Sequence, residues 1–275
     1  MKLPAHLPAL GMAADSSERQ AAASVRSLRI LLLLCALLPL AFFAGFASFR
    51  YGQMHDEAEV RLDRALRIAH EHALKVLEIN ATMLAHVADL ADEEVDTPQH
   101  REQLHRQLQA LAAGKPQIQS IWVLDAEGQP VASSFTPVAA ADVQFADREY
   151  FRWHRAGGTP DGLFFSELLL GRTTRSPFFD VSRARRNARG EFAGVVNVSL
   201  RPEYFQQFYA DLSADEPGLA ITMFRRDGAV YARWPQLAAP LPLRMASSSA
   251  VLQRVQAAKG SAPSARCPRW TATRA

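Results

Sequence analysis

A block of charged, aromatic and imidazole side chains lies between Asp147 and His154, in the sequence DREYFRWH. It can supply a cation for a carboxylate, aromatic walls and neutral hydrogen-bonding groups, which a pocket for a small anion or zwitterion needs. On a helix, Asp147, Tyr150 and His154 share one face, and Arg148 and Phe151 share the neighbouring face. Structural roles are the alternative to this interpretation. The aromatic side chains would then belong to the core, Arg148 would form an ion pair with a surface acid, and His154 would interact with the dipole at a helix end.

Catalytic and metal-binding motifs are not found in the sequence, which has no G-x-S-x-G, no H-E-x-x-H and no phosphate-binding loop. Cys35 and Cys267 are far apart, and His70 and His72 point to different sides of a helix, so neither pair predicts a zinc site. The net charge of +3 is too small for a dedicated nucleic-acid binder, and the arginines between residues 172 and 189 fit a solvated loop and strand edge. We therefore expect no enzyme activity, no cofactor and no nucleic-acid partner.

An uncharged segment of 20 residues, Ile30 to Phe49, predicts one transmembrane helix, because this length spans the bilayer core of roughly 30 Å. Arg26 and Arg29 lie directly before it, which predicts that residues 1–29 are cytoplasmic and that the rest of the chain is periplasmic or extracellular. The alternative is a cleaved signal peptide, since residues 45–47 offer a cleavage site, although the leader and the apolar core are both long for one.

A long helix is predicted after the membrane segment, because neither proline nor glycine occurs from Met54 to Asp96. Apolar residues recur along it at alternating steps of four and three from Leu62 to Leu90, with Asn80 as the one polar member. This stripe is typical of a coiled coil, in which Asn80 would set the register of two chains. A homodimer through the Leu62 to Leu90 helix and packing on the protein's own following domain are both left open.

The apolar period then changes from helical to extended, which predicts an α+β domain with one antiparallel sheet and helices at its side. The predicted helices are residues 99–112, 147–156 and 201–211, and the predicted strands are 118–124, 129–133, 164–170, 178–183, 194–200, 219–224 and 229–234. The strand, turn and strand at 219–234 repeat the arrangement at 118–133, with an acidic residue and a glycine in both turns. Residues 50–216 thus form the long helix and a first unit, and residues 217–258 form a second unit.

The second unit is expected to be truncated. Residues 259–275 are rich in Ala, Arg, Pro and Ser and show no strand or helix period, so an irregular tail is predicted. A small α+β unit needs three or more strands to bury one face of its sheet. An early end of the gene or a shifted reading frame near Gly260 would explain the missing part.

Three stretches carry a resemblance to a known family: FADREYFRWHRAGG at 145–158, DGLFFSELLLGRTTRSPFFDVSRARR at 161–186 and GEFAGVVNVSLRPEYFQQFY at 190–209. With the transmembrane segment and the long helix, they resemble the double Cache, or PDC-type, extracytoplasmic sensor domains of bacterial histidine kinases, diguanylate cyclases and chemoreceptors. The resemblance covers residues 28 to about 235. It implies a PAS-like antiparallel sheet, a membrane-distal Cache unit that binds a small molecule, and a second Cache unit that relays the signal.

The resemblance also implies a pocket between the start of the 147–156 helix and the facing strands. It nominates six ligand-binding residues: Arg148, Tyr150, Phe151, His154, Ser182 and Arg183. Asp180 alternates with its apolar neighbours along a strand and is a weaker candidate, for a ligand amine. The implied ligand is a carboxylate or an amino acid, with no metal.

The implied function is a membrane-anchored sensor module of a bacterial signalling receptor in the inner (plasma) membrane. The sequence departs from the family in having no second membrane segment and no kinase or cyclase signature. Two alternatives remain. One is the N-terminal part of a histidine kinase or diguanylate cyclase whose catalytic domain is missing here, and the other is a non-sensing, dimeric, membrane-anchored coiled coil.

Overall fold

The computed structural model describes residues 10–91, 97–136, 143–159, 162–171, 175–216, 218–238, 243–257 and 269–274. The chain divides into two compact units, residues 1–61 and residues 62–275. Helix α1, Leu10–Leu90, supplies the first unit and the first element of the second unit.

The predicted membrane span lies within α1, in the first unit. Within the described ranges, α1 is the one helix long and apolar enough to cross a bilayer. Its large apolar side chains are exposed in this chain; Leu38 and Phe42, for example, are 67% and 73% exposed. A helix suits a lipid environment because its main-chain hydrogen bonds are satisfied internally.

The second unit is built on an antiparallel sheet, here called the first sheet. Its strands are β1 (Ile118–Leu124), β2 (Pro130–Ser133), β3 (Phe164–Phe165), β4 (Leu169–Leu170), β5 (Pro177–Arg186) and β6 (Phe192–Leu200). Their order is β2-β1-β6-β5-β3, and β4 also pairs with β5. The prediction of an α+β fold with a long N-terminal helix and an antiparallel sheet is confirmed.

Helices cover both faces of the first sheet, because alternate residues of its strands point to opposite sides. The helices are α2 (Pro98–Ala112), α3 (Glu149–Arg155) and α4 (Pro202–Leu212). Val181 of β5 shares one core with residues of α1, α2 and α4, such as Val87, Leu108 and Phe205. On the other face, Val195 of β6 packs with Tyr150 and Phe151 of α3.

The apolar stripe of α1 belongs to the chain's own core. Ala69, Ala73, Val76 and Val87 are buried there with strand residues of the first sheet. Asn80 is fully buried, and its Nδ2 donates to the carbonyl of Val76 at 2.7 Å. The stripe therefore packs on the chain's own domain, as the internal alternative predicts, and a homodimer through the Leu62 to Leu90 helix stays a prediction. The small alanines let the helix approach the core closely.

The single strand predicted at 164–170 is wrong, because two short strands flank a bulge. Phe165 pairs with Val181 and Leu169 pairs with Phe178, so the three residues 166–168 lie opposite the two residues 179–180. One extra residue in this position is the definition of a β-bulge. We call residues 166–168 the Ser166 bulge.

A second sheet follows, with strands β7 (Leu219–Phe224), β8 (Val230–Trp234) and β9 (Arg269–Arg274) in the order β8-β7-β9. Helix α5, Ala250–Ala257, was not predicted; its Leu252 packs on Phe224 and Val230. The irregular tail predicted for 259–275 is wrong at 269–274. Strand pairing uses main-chain groups and needs no apolar alternation, so β9 pairs with the edge of β7 without the pattern that signals a strand.

The predicted repeat of the hairpin is confirmed in its main-chain hydrogen bonds. The amide of Gly128 donates to the carbonyl of Asp125 at 3.1 Å, and that of Gly228 donates to the carbonyl of Arg225 at 2.8 Å. Both glycines have positive φ, 86° and 94°, which glycine adopts without steric cost. In the second hairpin Arg225 thus stands where the first hairpin has Asp125.

Candidate functional site

A cleft lies on the α3 side of the first sheet, and it encloses about 570 Å³ of empty space including its open mouth. Its walls combine aromatic, neutral polar and charged side chains: Gln119, Ser120, Trp122, Phe135, Val143, Phe145, Arg148, Gly171, Phe178, Asp180, Asn197 and Ser199. We call this space the cavity.

The floor of the cavity consists of polar side chains from three neighbouring strands. Ser120 of β1 and Asp180 of β5 both pair with Ser199 of β6, so the three form one row across the sheet. Trp122 and Asn197 pair in the adjacent row. These residues occupy alternate positions of their strands, and the intervening positions are core valines and other apolar residues on the opposite face.

Asp180 is the buried acid of this floor, with 2% of its surface exposed. Its Oδ1 accepts hydrogen bonds from Ser199 Oγ at 2.7 Å and from Asn197 Nδ2 at 3.0 Å. Burial raises the pKa of Asp180 to about 6, because the charged carboxylate loses its hydration, and the two hydrogen bonds and the charge of Arg148 oppose the rise. A cationic ligand group would replace the lost hydration.

Arg148 is the cation of the cavity. It is the N-cap residue of α3, with an extended backbone at φ −71° and ψ 143°, and α3 itself begins at Glu149. The sequence had predicted that Arg148 and Phe151 share one face of a helix. This prediction is wrong, because Arg148 precedes the helix. A guanidinium binds a carboxylate through paired hydrogen bonds, so Arg148 and Asp180 offer opposite charges to one ligand.

Aromatic rings form the apolar wall. Trp122 and Phe145 pack with ring centroids 5.2 Å apart, and Phe178 contributes a third ring. The indole Nε1 of Trp122 donates to Ser120 Oγ at 3.0 Å, which fixes the orientation of the ring. Rigid aromatic walls exclude water and strengthen the charged contacts inside.

The structure separates the six predicted ligand-binding residues. Arg148 lines the cavity. Tyr150 and Phe151 are buried in the small core between α3 and the sheet, with Leu124 and Phe164. This is the structural role that the sequence had left open for the aromatics.

His154 and Ser182 form a buried hydrogen-bonded pair beside this core. His154 Nε2 lies 3.0 Å from Ser182 Oγ, and His154 is 2% exposed. Burial lowers the pKa of His154 to about 4, opposed by the hydrogen bond with Ser182 and assisted by the charge of Arg186. Arg183 follows Ser182 in β5 and, by alternation, belongs to the opposite face of the sheet.

Sequence reasoning missed most of the cavity floor. A signal was present, because FFDVSR and VVNVSL place polar residues at alternate positions inside strands that are otherwise apolar. Buried polar side chains at such spacing lie on one face of a sheet. That pattern identifies Asp180, Asn197 and Ser199, whereas the contributions of Trp122 and Phe178 depend on strand order, which periodicity does not reveal.

No protein-family model and no curated protein sequence matches this chain. Solved structures do match. The extracellular domain of rpHK1S-Z16, which is named as a histidine kinase, aligns with a TM-score of 0.59 and 28% identity, over 69% of this chain and 76% of that one.

Two chemoreceptor domains are also similar in fold. The domain of the amino acid chemoreceptor PctB from Pseudomonas aeruginosa PAO1, in complex with L-Arg, has a TM-score of 0.51 and 14% identity, over 62% of this chain and 68% of that one. The domain of CtaA from Pseudomonas fluorescens, in complex with L-serine, has a TM-score of 0.51 and 13% identity, over 65% and 73%. This chain thus has the fold of extracellular sensor and ligand-binding domains.

Proposed function

We propose that this chain is the double Cache sensor module of a bacterial membrane receptor and binds an amino acid or a closely related zwitterion. The observation that carries the proposal is the pair of opposite charges, Arg148 and the buried Asp180, in one cavity that also has aromatic walls. Arg148 binds the ligand carboxylate, and Asp180 accepts hydrogen bonds from the ligand ammonium. Binding, and not catalysis, is the activity of this part of the chain.

The similar structures support the ligand class. PctB and CtaA are described in complex with L-Arg and L-serine, which carry both groups on one carbon atom. The apolar helix of the first unit supports an anchor in the inner (plasma) membrane, with the sensor domain periplasmic or extracellular. Arg26 and Arg29 before the span support this orientation.

The test is a binding screen of the full chain in detergent micelles against single amino acids, dicarboxylates and amines. We expect zwitterions to raise the melting temperature, by an amount that grows with RT ln(1 + [L]/Kd). Arg148→Ala and Asp180→Asn should each abolish this rise. Arg152→Ala is the matched control, because Arg152 lies exposed on the same helix, outside the set of residues that line the cavity. Retained binding in both cavity variants would disprove the assignment of the site.

A further inference from the structure

The second sheet holds the first sheet at the Ser166 bulge. The hydroxyl of Tyr231 in β8 donates to the carbonyl of Ser166 at 2.8 Å. Arg225, in the turn between β7 and β8, donates from Nη1 to the carbonyl of Phe165 at 2.8 Å. Both side chains are buried, Arg225 to 8% exposure. Two consecutive main-chain carbonyls of the first sheet thus accept hydrogen bonds from the β7–β8 hairpin.

Arg225 is fixed by several acids at once. Its Nε and Nη2 donate to the two carboxylate oxygens of Asp227 at 2.9 and 2.6 Å, and its Nη2 lies 3.4 Å from Glu167 Oε1 in the bulge. Arg244 pairs with the same Glu167 and lies 3.8 Å from Asp227. The hydrogen bond from Arg225 holds the pKa of Asp227 below its usual value. A guanidinium held in two directions has little rotational freedom.

Two short routes connect the cavity with these contacts. The first runs along α3, where Arg148 lines the cavity and the next residue, Glu149, places Oε2 at 3.7 Å from Arg225 Nη1. The second runs through β5, where the amide of Asp180 donates to Ser166 Oγ at 2.8 Å and its carbonyl accepts from the amide of Ser166 at 2.9 Å. Arg148 is therefore the sequence neighbour of Glu149, which contacts Arg225. Asp180 is joined by two hydrogen bonds to Ser166, whose carbonyl binds Tyr231.

We propose that Arg225 and Tyr231 couple occupancy of the cavity to the β7–β8 hairpin. The proposal rests on the proposed function, because it takes a zwitterion held between Arg148 and Asp180 as its input. Such a ligand restrains Glu149 through its neighbour and Ser166 through the main chain of Asp180. The contacts of Arg225 and Tyr231 then open less often, and the hairpin becomes more rigid.

Comparison of the two hairpins shows why Arg225 reaches the first sheet. In the first hairpin Asp125 Oδ1 accepts from the amides of Glu127 and Gln129, so the acid closes its own turn. In the second hairpin Arg225 takes that position, and Asp227 Oδ1, two residues later, accepts from the amide of Ala229. The arginine side chain is thereby directed to the neighbouring sheet.

The experiment measures hydrogen–deuterium exchange of the full chain in detergent micelles, with and without a saturating equimolar mixture of the proteinogenic L-amino acids. We expect the mixture to slow exchange of β5, β6 and the β7–β8 hairpin, the hairpin by about fivefold or more. In the double variant Glu149→Gln with Tyr231→Phe, β5 and β6 should still respond while the hairpin response falls below about twofold. Glu203→Gln, the same change in the first turn of α4, should keep both responses.

Other outcomes overturn one proposal or the other. A hairpin response that is absent in the parent, or equal in parent and double variant, overturns the coupling while leaving the ligand site intact. If the mixture slows no strand, the proposed ligand class fails, and the coupling is decided without ligand. Asp180→Asn should then alter exchange of the hairpin relative to α2 in the parent background and not in the double variant. Equal changes in both backgrounds overturn the coupling.

Discussion

Replacing Asp180 with asparagine should stabilise the protein at neutral pH. Burial raises the folded-state pKa of Asp180 from 3.8 to about 6, and each pH unit of difference between folded and unfolded states corresponds to about 1.4 kcal/mol. The folded state binds more protons than the unfolded state between these values. The ionised side chain therefore costs nothing below pH 4 and about 3 kcal/mol above pH 6. Asparagine removes this cost and keeps an acceptor oxygen for Ser199 and Asn197.

His154 has the opposite effect in the same pH range. Its folded-state pKa is lowered from 6.5 to about 4, so the unfolded state binds the extra proton and stability falls as the pH drops below 6.5. In the parent protein, the pH dependence of stability due to Asp180 and the opposite pH dependence due to His154 largely cancel between pH 4 and pH 6. In Asp180→Asn the histidine contribution remains alone, and stability should rise with pH across this range more steeply than in the parent.

The assay is thermal unfolding of the full chain in detergent micelles, followed by tryptophan fluorescence from pH 4 to pH 8. A gain of about 3 kcal/mol corresponds to an increase of about 6 to 12 °C in melting temperature for a domain of this size at pH 8, and to no increase at pH 4. Asp215→Asn removes an exposed carboxylate and should leave both temperatures unchanged. A variant that is equally or less stable than the parent at pH 8 would refute the buried charge.

Four further results are expected. Amino acid affinity should fall about tenfold from pH 7 to pH 5, because at pH 5 about one Asp180 in eleven is ionised, and a flat calorimetric titration would exclude its role with the ligand ammonium. Gly194→Ala should cost at least about 2 kcal/mol in denaturant unfolding, since φ is 127° and the new Cβ would lie 2.0 Å from the carbonyl oxygen of Leu124. Val87→Asp should lower the free energy of unfolding by about 3 to 5 kcal/mol, because it places a charge in the core, and circular dichroism should show the loss of structure. A folded monomeric variant would contradict the internal packing of the stripe. Alkaline phosphatase fused after Tyr209 should be active, and an inactive fusion with an active cytoplasmic reporter at the same site would reverse the proposed topology.

Local patterns predicted most of the elements, because helix and strand periods depend on neighbouring residues. Thus the predicted strand at 118–124 coincides with β1, and the helix predicted at 99–112 differs from α2 by one residue. The pairing of strands that are distant in the sequence could not be predicted from local patterns. The bulge opposite Asp180 depends on how β5 pairs with β3 and β4. Strand β9 forms by pairing with β7, and the sequence of residues 269–274 has no pattern that predicts a strand.

The candidate site followed the same division. Arg148 was predicted to line a pocket, and it does, because it immediately precedes α3. The placement of Tyr150 and Phe151 depends on how α3 packs on the sheet, which the local sequence does not specify. Both rings pack with Leu124 and are not among the residues that line the cavity.

The Ser166 bulge also interrupts the outer edge of the first sheet. β3 is the outermost strand on its side and has two residues, and the bulge prevents it from continuing directly into β4. Long, flat edge strands pair with other chains and aggregate, and short or bulged edges prevent this. Deleting one residue of the bulge would let β3 continue into β4 as one longer edge strand, and light scattering should then detect more self-association than in the parent.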